Sequence, residues 1–210
     1  MAGTVPPAVP ETPSSPPPAA TTGTGIADPA ALGLGAFATT TFVLSFFNAN
    51  LMSATLAAVV LPLALTFGGL AQLLAGMWEF RNRNTFGATA FTSYGAFWLS
   101  YAFFARYVAP TLPLATAHEA TGLYLLVWGI FTLYMTVAAM RVNGAVLGVF
   151  VALTVTYILL AAGEFAQSPN LAKAGGWVGL ITAVIAWYAS FAVVTNSTWK
   201  RSVVPTWPLS

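Results

Sequence analysis

The chain contains no cysteine, a single histidine and very little charge: Asp, Glu, Lys and Arg together make up 6% of its 210 residues. Without cysteine there are no disulfides, no thiolate chemistry and no cysteine-ligated metal. So few charges exclude an ordinary water-soluble domain, in which roughly a quarter of residues are charged. With 58% hydrophobic residues and a mean hydropathy of +0.78, the sequence reads as an all-α polytopic membrane protein whose first partner is the lipid bilayer. A net charge of +2 is too small to point to nucleic acid.

Charge is absent from a second place: no Asp, Glu, Lys, Arg or His lies near the middle of any apolar run. Proton relays and voltage sensors are built from such groups, so a relay carried by the protein is not expected. Glu79, Arg106, Glu119 and Glu164 all fall at run ends, where interfacial placement costs little. His118 sits in the Pro110 to Glu119 connection with no second histidine to share a metal. There is no Ser-His-carboxylate set, no two-His helix and no glycine-rich phosphate loop, so neither an enzyme nor a bound cofactor is expected.

What the sequence does contain is six apolar runs behind a Pro-rich leader. Residues 1–27 carry Pro6, Pro7, Pro10, Pro13 and Pro16 to Pro18 and no Lys or Arg. This composition is that of a disordered tail, and it lacks the basic and apolar regions of a cleaved signal peptide. Residues 28–198 form the expected six-helix membrane domain, and residues 199–210 a short tail. The first run extends from Asp28 to Met52, with Asp28 as a cap and Pro29 at the first helical position. The others run from Ala54 to Trp78, Phe86 to Val108, Ala120 to Met140, Ala145 to Gly163 and Gly175 to Thr195. Pro62 is expected to kink the second, and Asn84-Thr85 to cap the third.

Six spans leave both termini on one side. Arg81, Arg83, Arg141, Lys200 and Arg201 share that side, against Arg106 and Lys173 on the other. The positive-inside rule therefore places the termini in the cytoplasm of a multi-pass cell-membrane protein. Trp78, Trp177, Trp199 and Trp207 stand at run ends as interfacial anchors. Small residues at four-residue spacing, Ala71-xxx-Ala75, Gly144-xxx-Gly148 and Gly175-xxx-Gly179, allow close helix approach.

In the first run Phe37, Thr41, Leu44 and Asn48 share one helical stripe. It could line a pathway, but packing explains it about as well, with Thr41 bonded to its own backbone and Asn48 bridging helices. Gln72 lies on a stripe with Gly69, Gly76 and Glu79; Tyr94 lies on one with Phe91, Trp98 and Tyr101. Such stripes are more often core than pore.

Several blocks carry a family resemblance. Asp28-Pro29-Ala30-Ala31-Leu32-Gly33-Leu34, followed by Phe37, resembles the Asn-Pro-Ala-Pro-Leu-Gly-Leu signature of the acetate uptake transporter family, which includes succinate-acetate permeases. Gly68-Gly69-Leu-Ala-Gln72, Asn84-Thr85-Phe86-Gly87, Phe91-Thr-Ser-Tyr94-Gly95, Trp128-Gly129-Ile-Phe131-Thr132 and Ala174-Gly175-Gly176-Trp177 follow in the family's order. The resemblance implies a homohexamer in which each six-helix protomer passes acetate and similar small carboxylates, sometimes succinate. It also implies a constriction at Phe37, Tyr94 and Leu153. Asp28 stands where the family has Asn and Ala31 where it has Pro; the added charge would disfavour anions if a pore mouth were near.

Thr41, Asn48 and Gln72 are the polar candidates for the lining. A path with no fixed positive charge resists a bare carboxylate, so passage with a proton carried on the substrate is expected, with an anion channel as the alternative. Two other readings remain open at this point: a urea or short-amide channel, and a membrane sensor or scaffold that transports nothing.

Overall fold

The computed structural model describes residues 25–209, so all but the last three residues of the expected Pro-rich tail lie outside the described part. Six helices cross in alternating directions: α1 (Ala30–Asn48), α2 (Ala54–Arg81), α3 (Thr85–Phe103), α4 (Ala117–Ala139), α5 (Gly144–Phe165) and α6 (Pro169–Trp199). Five are long and apolar enough to cross a membrane; α3 is the exception. Its 19 residues still reach about 28 Å at 1.5 Å each. Its Thr, Ser, Tyr and Gly content lowers its hydropathy, and part of that content is inside the bundle, where Gly87, Tyr94 and Gly95 are buried. The chain is a multi-pass membrane protein.

Helix ends follow local chemistry. Asp28 Oδ1 accepts from Ala30 N-H at 2.9 Å, Asn84 Oδ1 from Gly87 N-H at 3.0 Å and Asn143 Oδ1 from Val146 N-H at 2.9 Å. Regular helix begins at Ala30, with Pro29 in the capping position just ahead of it, a one-residue difference from the expected start that lies within the usual ambiguity of helix ends. At the other ends Asn50, Arg83, Gln167 and Lys200 turn left-handed, with φ of 57°, 59°, 48° and 53°. In each case the next N-H reaches back to close the helix, as from Leu51 to Phe46 O at 3.1 Å and Ser168 to Gly163 O at 2.8 Å. α6 begins six residues before the expected Gly175, because Ser168 caps it and Pro169 occupies its first turn. The cap, not the apolar content, decides where that helix starts.

Pro62 does more than kink α2. The helix opens as a 3-10 turn over Ala54–Val59, becomes α-helical over Val60–Leu65, and widens to a π turn over Thr66–Ala71 before Gln72–Arg81. Proline has no N-H and crowds the carbonyl four residues before it, and the freed backbone is re-satisfied by adjusting turn width. Thr66 Oγ1 donates to Pro62 O at 2.7 Å within this stretch.

Neighbouring backbones pack as two groups, α1 with α6, α5 and α4 in succession, and α2 with α3, joined along the α1 and α2 faces. Two glycines set the closest approaches. A Cβ on Gly76 would meet the Thr92 backbone, and one on Gly176 would meet Ala49 N, leaving nothing flexible to yield. Of the small-residue pairs, Gly175 and Gly179 do admit Leu160 and Ser45. Gly148 faces only ordinary contact with Ile185 at 3.5 Å, and Gly144 faces Trp207 of the tail at 3.2 Å.

The C-terminal tail folds back. Trp207 O and Thr206 O accept from the N-H groups of Gly144 and Ala145, which open α5, at 2.7 and 3.2 Å. Tyr188 O-H donates to Pro205 O at 2.6 Å, and Asn196 holds Val203 and Val204. α3 and α4, adjacent in sequence, keep their backbones apart and meet through rings, as Phe97 on Trp128 with centroids 5.1 Å apart.

Gly176→Val is expected to lower stability by at least about 2 kcal/mol, the scale of overpacking a tight core, whereas Gly148→Ala stays within about 0.5 kcal/mol. Thermal unfolding of the two variants in detergent checks the contrast.

Candidate functional site

A cavity of about 200 Å³ lies among α1, α3, α4, α5 and the start of α6. Alternating helix direction orders its walls. α1 contributes Phe37, Thr41, Leu44 and Asn48, and α5 contributes Leu153, Tyr157, Leu160 and Glu164, each from the middle of the bundle outward. From Phe37 to Asn48 the wall rises through 11 positions, about 16 Å along a helix. Phe37 and Leu153, at the inner end of the α1 and α5 walls, are each 4% exposed, whereas Asn48, Thr121 and Glu164 at the rim are half-buried. The mouth is therefore at the end of α1 opposite Asp28.

The whole Phe37-Thr41-Leu44-Asn48 stripe is on this wall. Thr41 does not return to its own backbone. Its Oγ1 is buried and has no hydrogen-bond partner, while its neighbour Thr40 donates to Ala36 O at 3.0 Å. Asn48, too, makes no side-chain hydrogen bond within the described residues. Across the cavity Trp98 Nε1 is buried without an acceptor. The hydroxyls of Tyr101 and Tyr157, also on the wall, have no partner among the described residues. An unmet buried polar group costs about 1–3 kcal/mol, so this cluster of free neutral donors is a feature that packing alone does not favour.

Tyr94 is not on the cavity wall. It lies behind Phe37, ring centroids 5.7 Å apart, and packs against Phe131 at 5.4 Å and Phe150 at 6.0 Å. Its hydroxyl is 2.9 Å from Thr132 Oγ1. Thr132 in turn donates to Trp128 O at 2.7 Å, which leaves Tyr94 O-H as the donor to Thr132. Thr136 Oγ1 donates to Thr132 O at 2.8 Å and lies 2.9 Å from Thr154 Oγ1. Phe37, Tyr94 and Leu153 thus belong to one buried cluster, with Tyr94 one layer deeper. Gln72 is 1% exposed and its Oε1 unpartnered, but it does not touch the cavity.

In the signature segment, Gly33 leaves room for the Phe91 ring, which would lie 2.6 Å from a Cβ there. Leu34 is buried with Phe91, and Leu32 faces outward. Asp28 and Pro29 shape the helix start and lie far from the cavity mouth. The sequence signals missed Trp98 Nε1 as a free donor, Thr132 as the anchor of Tyr94, and Glu164 as a rim residue. Trp98 and Tyr101 share the Tyr94 stripe and could have been linked to it; the others required the pairing of α3 with α4 and of α4 with α5. Among the described residues no group of three or more metal-binding side chains occurs.

Comparison with known proteins gives a consistent set. The profile of the GPR1/FUN34/yaaH family matches residues 12–210. The Ammonia transport outward protein 2 of Saccharomyces cerevisiae is 42% identical over 178 residues, 81% of this chain, which spans about 62% of that relative's length. The Succinate-acetate/proton symporter SatP of Escherichia coli K12 is 39% identical over 184 residues, 87% of this chain and 96% of that protein. A solved structure of the bacterial acetate channel SatP superposes with a TM-score of 0.81 at 37% identity, covering 86% of this chain and 99% of its own.

Thr132→Val, which strands the Tyr94 hydroxyl, is expected to cost about 1–3 kcal/mol, whereas Thr41→Val removes a group already unbonded and is neutral or stabilising. Unfolding midpoints in detergent distinguish the two.

Proposed function

The chain belongs to the GPR1/FUN34/yaaH family, and on that premise we propose that it carries small monocarboxylates, acetate first and succinate next, across the cell membrane. The observation that carries the reading is the cavity walled by Phe37 and Leu153 together with Thr41, Asn48 and Trp98, where Thr41 Oγ1 and Trp98 Nε1 are buried without a partner. A carboxyl group leaving water needs hydrogen-bond donors, and its methyl needs an apolar wall. The cavity supplies both in neutral form.

Phe37, Leu153 and, one layer deeper, Tyr94 form the proposed constriction, with Thr41 and Asn48 as the polar steps leading to it. Gln72 is buried away from the cavity and is assigned to the helix interface. Passage requires the Phe37 ring to move off Tyr94. Thr132 holds the Tyr94 hydroxyl, so Phe37 is the mobile member.

The proton travels with the substrate. No cation lines the cavity, and an unpaired carboxylate in a low-dielectric passage is strongly disfavoured. Simple carboxylic acids titrate near the side-chain values of about 4, so close to pH 5 a substantial fraction is already neutral. The names of two relatives divide on this point, one a proton symporter and the other a channel. Arg81, Arg83, Arg141, Lys200 and Arg201 share the Asp28 end of the bundle, which supports cytoplasmic termini and a cavity open to the outside. The apolar outer faces, including Leu70, Leu74 and Met77 on α2, give lipid or neighbouring protomers a surface, and a homohexamer is the assembly proposed.

Proteoliposomes holding the full chain test the reading. Acetate is expected to enter with one proton each and without net current, and Phe37→Ala is expected to shift the acetate-to-succinate rate ratio about threefold or more by widening the passage. Acetate current that follows voltage without proton movement contradicts the coupled route. Flux of urea or methylammonium with none of acetate contradicts the substrate.

A further inference from the structure

We infer that Glu164 is a titratable charge filter at the cavity mouth: ionised, it turns the substrate anion away, and protonated, it admits the acid and offers it a hydrogen-bond donor. The inference deepens the carboxylic-acid reading above and rests on it. Glu164 ends the wall that α5 gives to the cavity and shares the rim with Asn48 and Thr121. It is the one carboxyl among the lining residues, which otherwise carry hydroxyl, amide, indole and apolar side chains.

Nothing in its surroundings explains it as a structural carboxylate. Glu79, near the end of α2, is fully buried and accepts from Asn82 Nδ2 at 3.2 Å on one oxygen, its Oε1 being unpartnered. Glu164 is half-buried and accepts no hydrogen bond from any described residue. A carboxylate kept bare at the lip of a narrow, partly dehydrated cavity acts on whatever enters through its charge, which reaches further there than in bulk water.

The groups facing it come from each helix at this end. From α4, His118 is the titratable neighbour whose charge acts on it. Gln167 Nε2 lies 3.0 Å from His118 Nε2. Also on α4, Tyr124 lines the cavity and Glu119 is exposed beside His118. α6 contributes Ala172 to the wall, with exposed Lys173 next to it. α1 contributes only neutral Asn48, and beyond α3 the Arg106 guanidinium lies over the Tyr107 ring at 5.3 Å. Acidification therefore removes negative charge at Glu164, which eases entry of a carboxyl substrate.

The test compares Glu164→Gln with the unaltered chain for acetate uptake into proteoliposomes from about pH 4.5 to about pH 7.5. Protonation of acetate is common to both and cancels in the ratio of their rates. The ratio is expected to be near one at the acid end and to rise about fivefold toward neutrality, while Glu164→Asp keeps the original profile. A flat ratio with an active unaltered chain overturns the filter and leaves acid transport standing. Loss of uptake at every pH in both variants overturns it in favour of a structural role. An unaltered chain that takes up no acetate at any pH overturns both readings.

Discussion

Hydrocarbon offers a hydroxyl nothing to bond with, so every polar group inside a membrane bundle must be satisfied by the protein or left bare. The threonines here show how fully that constraint is met. Thr39, Thr40, Thr66, Thr132, Thr136, Thr154, Thr156 and Thr182 all donate to the carbonyl four residues earlier. Thr41 is an exception, as is Thr92 at the Gly76 contact, and only Thr41 faces the cavity. Against so regular a background, the unbonded Thr41 hydroxyl and the unbonded Trp98 indole N-H, both on residues that line the cavity, set this wall apart.

The same constraint shapes the rest of the bundle. Glycine at positions 76 and 176 brings backbones close where no polar group needs space. Large rings hold α3 and α4 apart, and the cavity occupies the gap between them. Tyr94 would be costly to bury alone; bonded to Thr132 and backed by Phe131 and Phe150 it becomes a fixed floor. Phe37, which has no hydrogen bond to hold it, packs in front of that ring.

Much of this could be read from residue order. Six spans follow from apolar runs, and Asn84 caps α3 as expected, whereas the caps at Asn143 and Ser168 emerge only from the structure. The stripe from Phe37 to Asn48 is one wall because α1 is regular throughout. Legibility ended where long-range pairing took over. The π turn beyond Pro62 lies where Gly68 packs under Thr40 of α1, a contact between helices that residue order does not display. The folded tail depends on carbonyls of Thr206 and Trp207 meeting the start of α5. Glu164 looked interfacial because hydropathy records depth along a helix and not which face meets a cavity. Gln72 looked like lining for the same reason, and its face is buried elsewhere.

The central claim is that the Thr41 face is the path the substrate takes, and the absence of cysteine from the chain makes it directly testable. Thr41→Cys introduces the sole thiol, which a small methanethiosulfonate reagent can modify in proteoliposomes while acetate uptake is followed. Modification is expected to reduce uptake about fivefold or more by filling the passage, acetate is expected to slow the modification, and the unaltered chain is expected to ignore the reagent. Complete labelling of Cys at that position, verified by mass, with uptake unchanged would contradict the account.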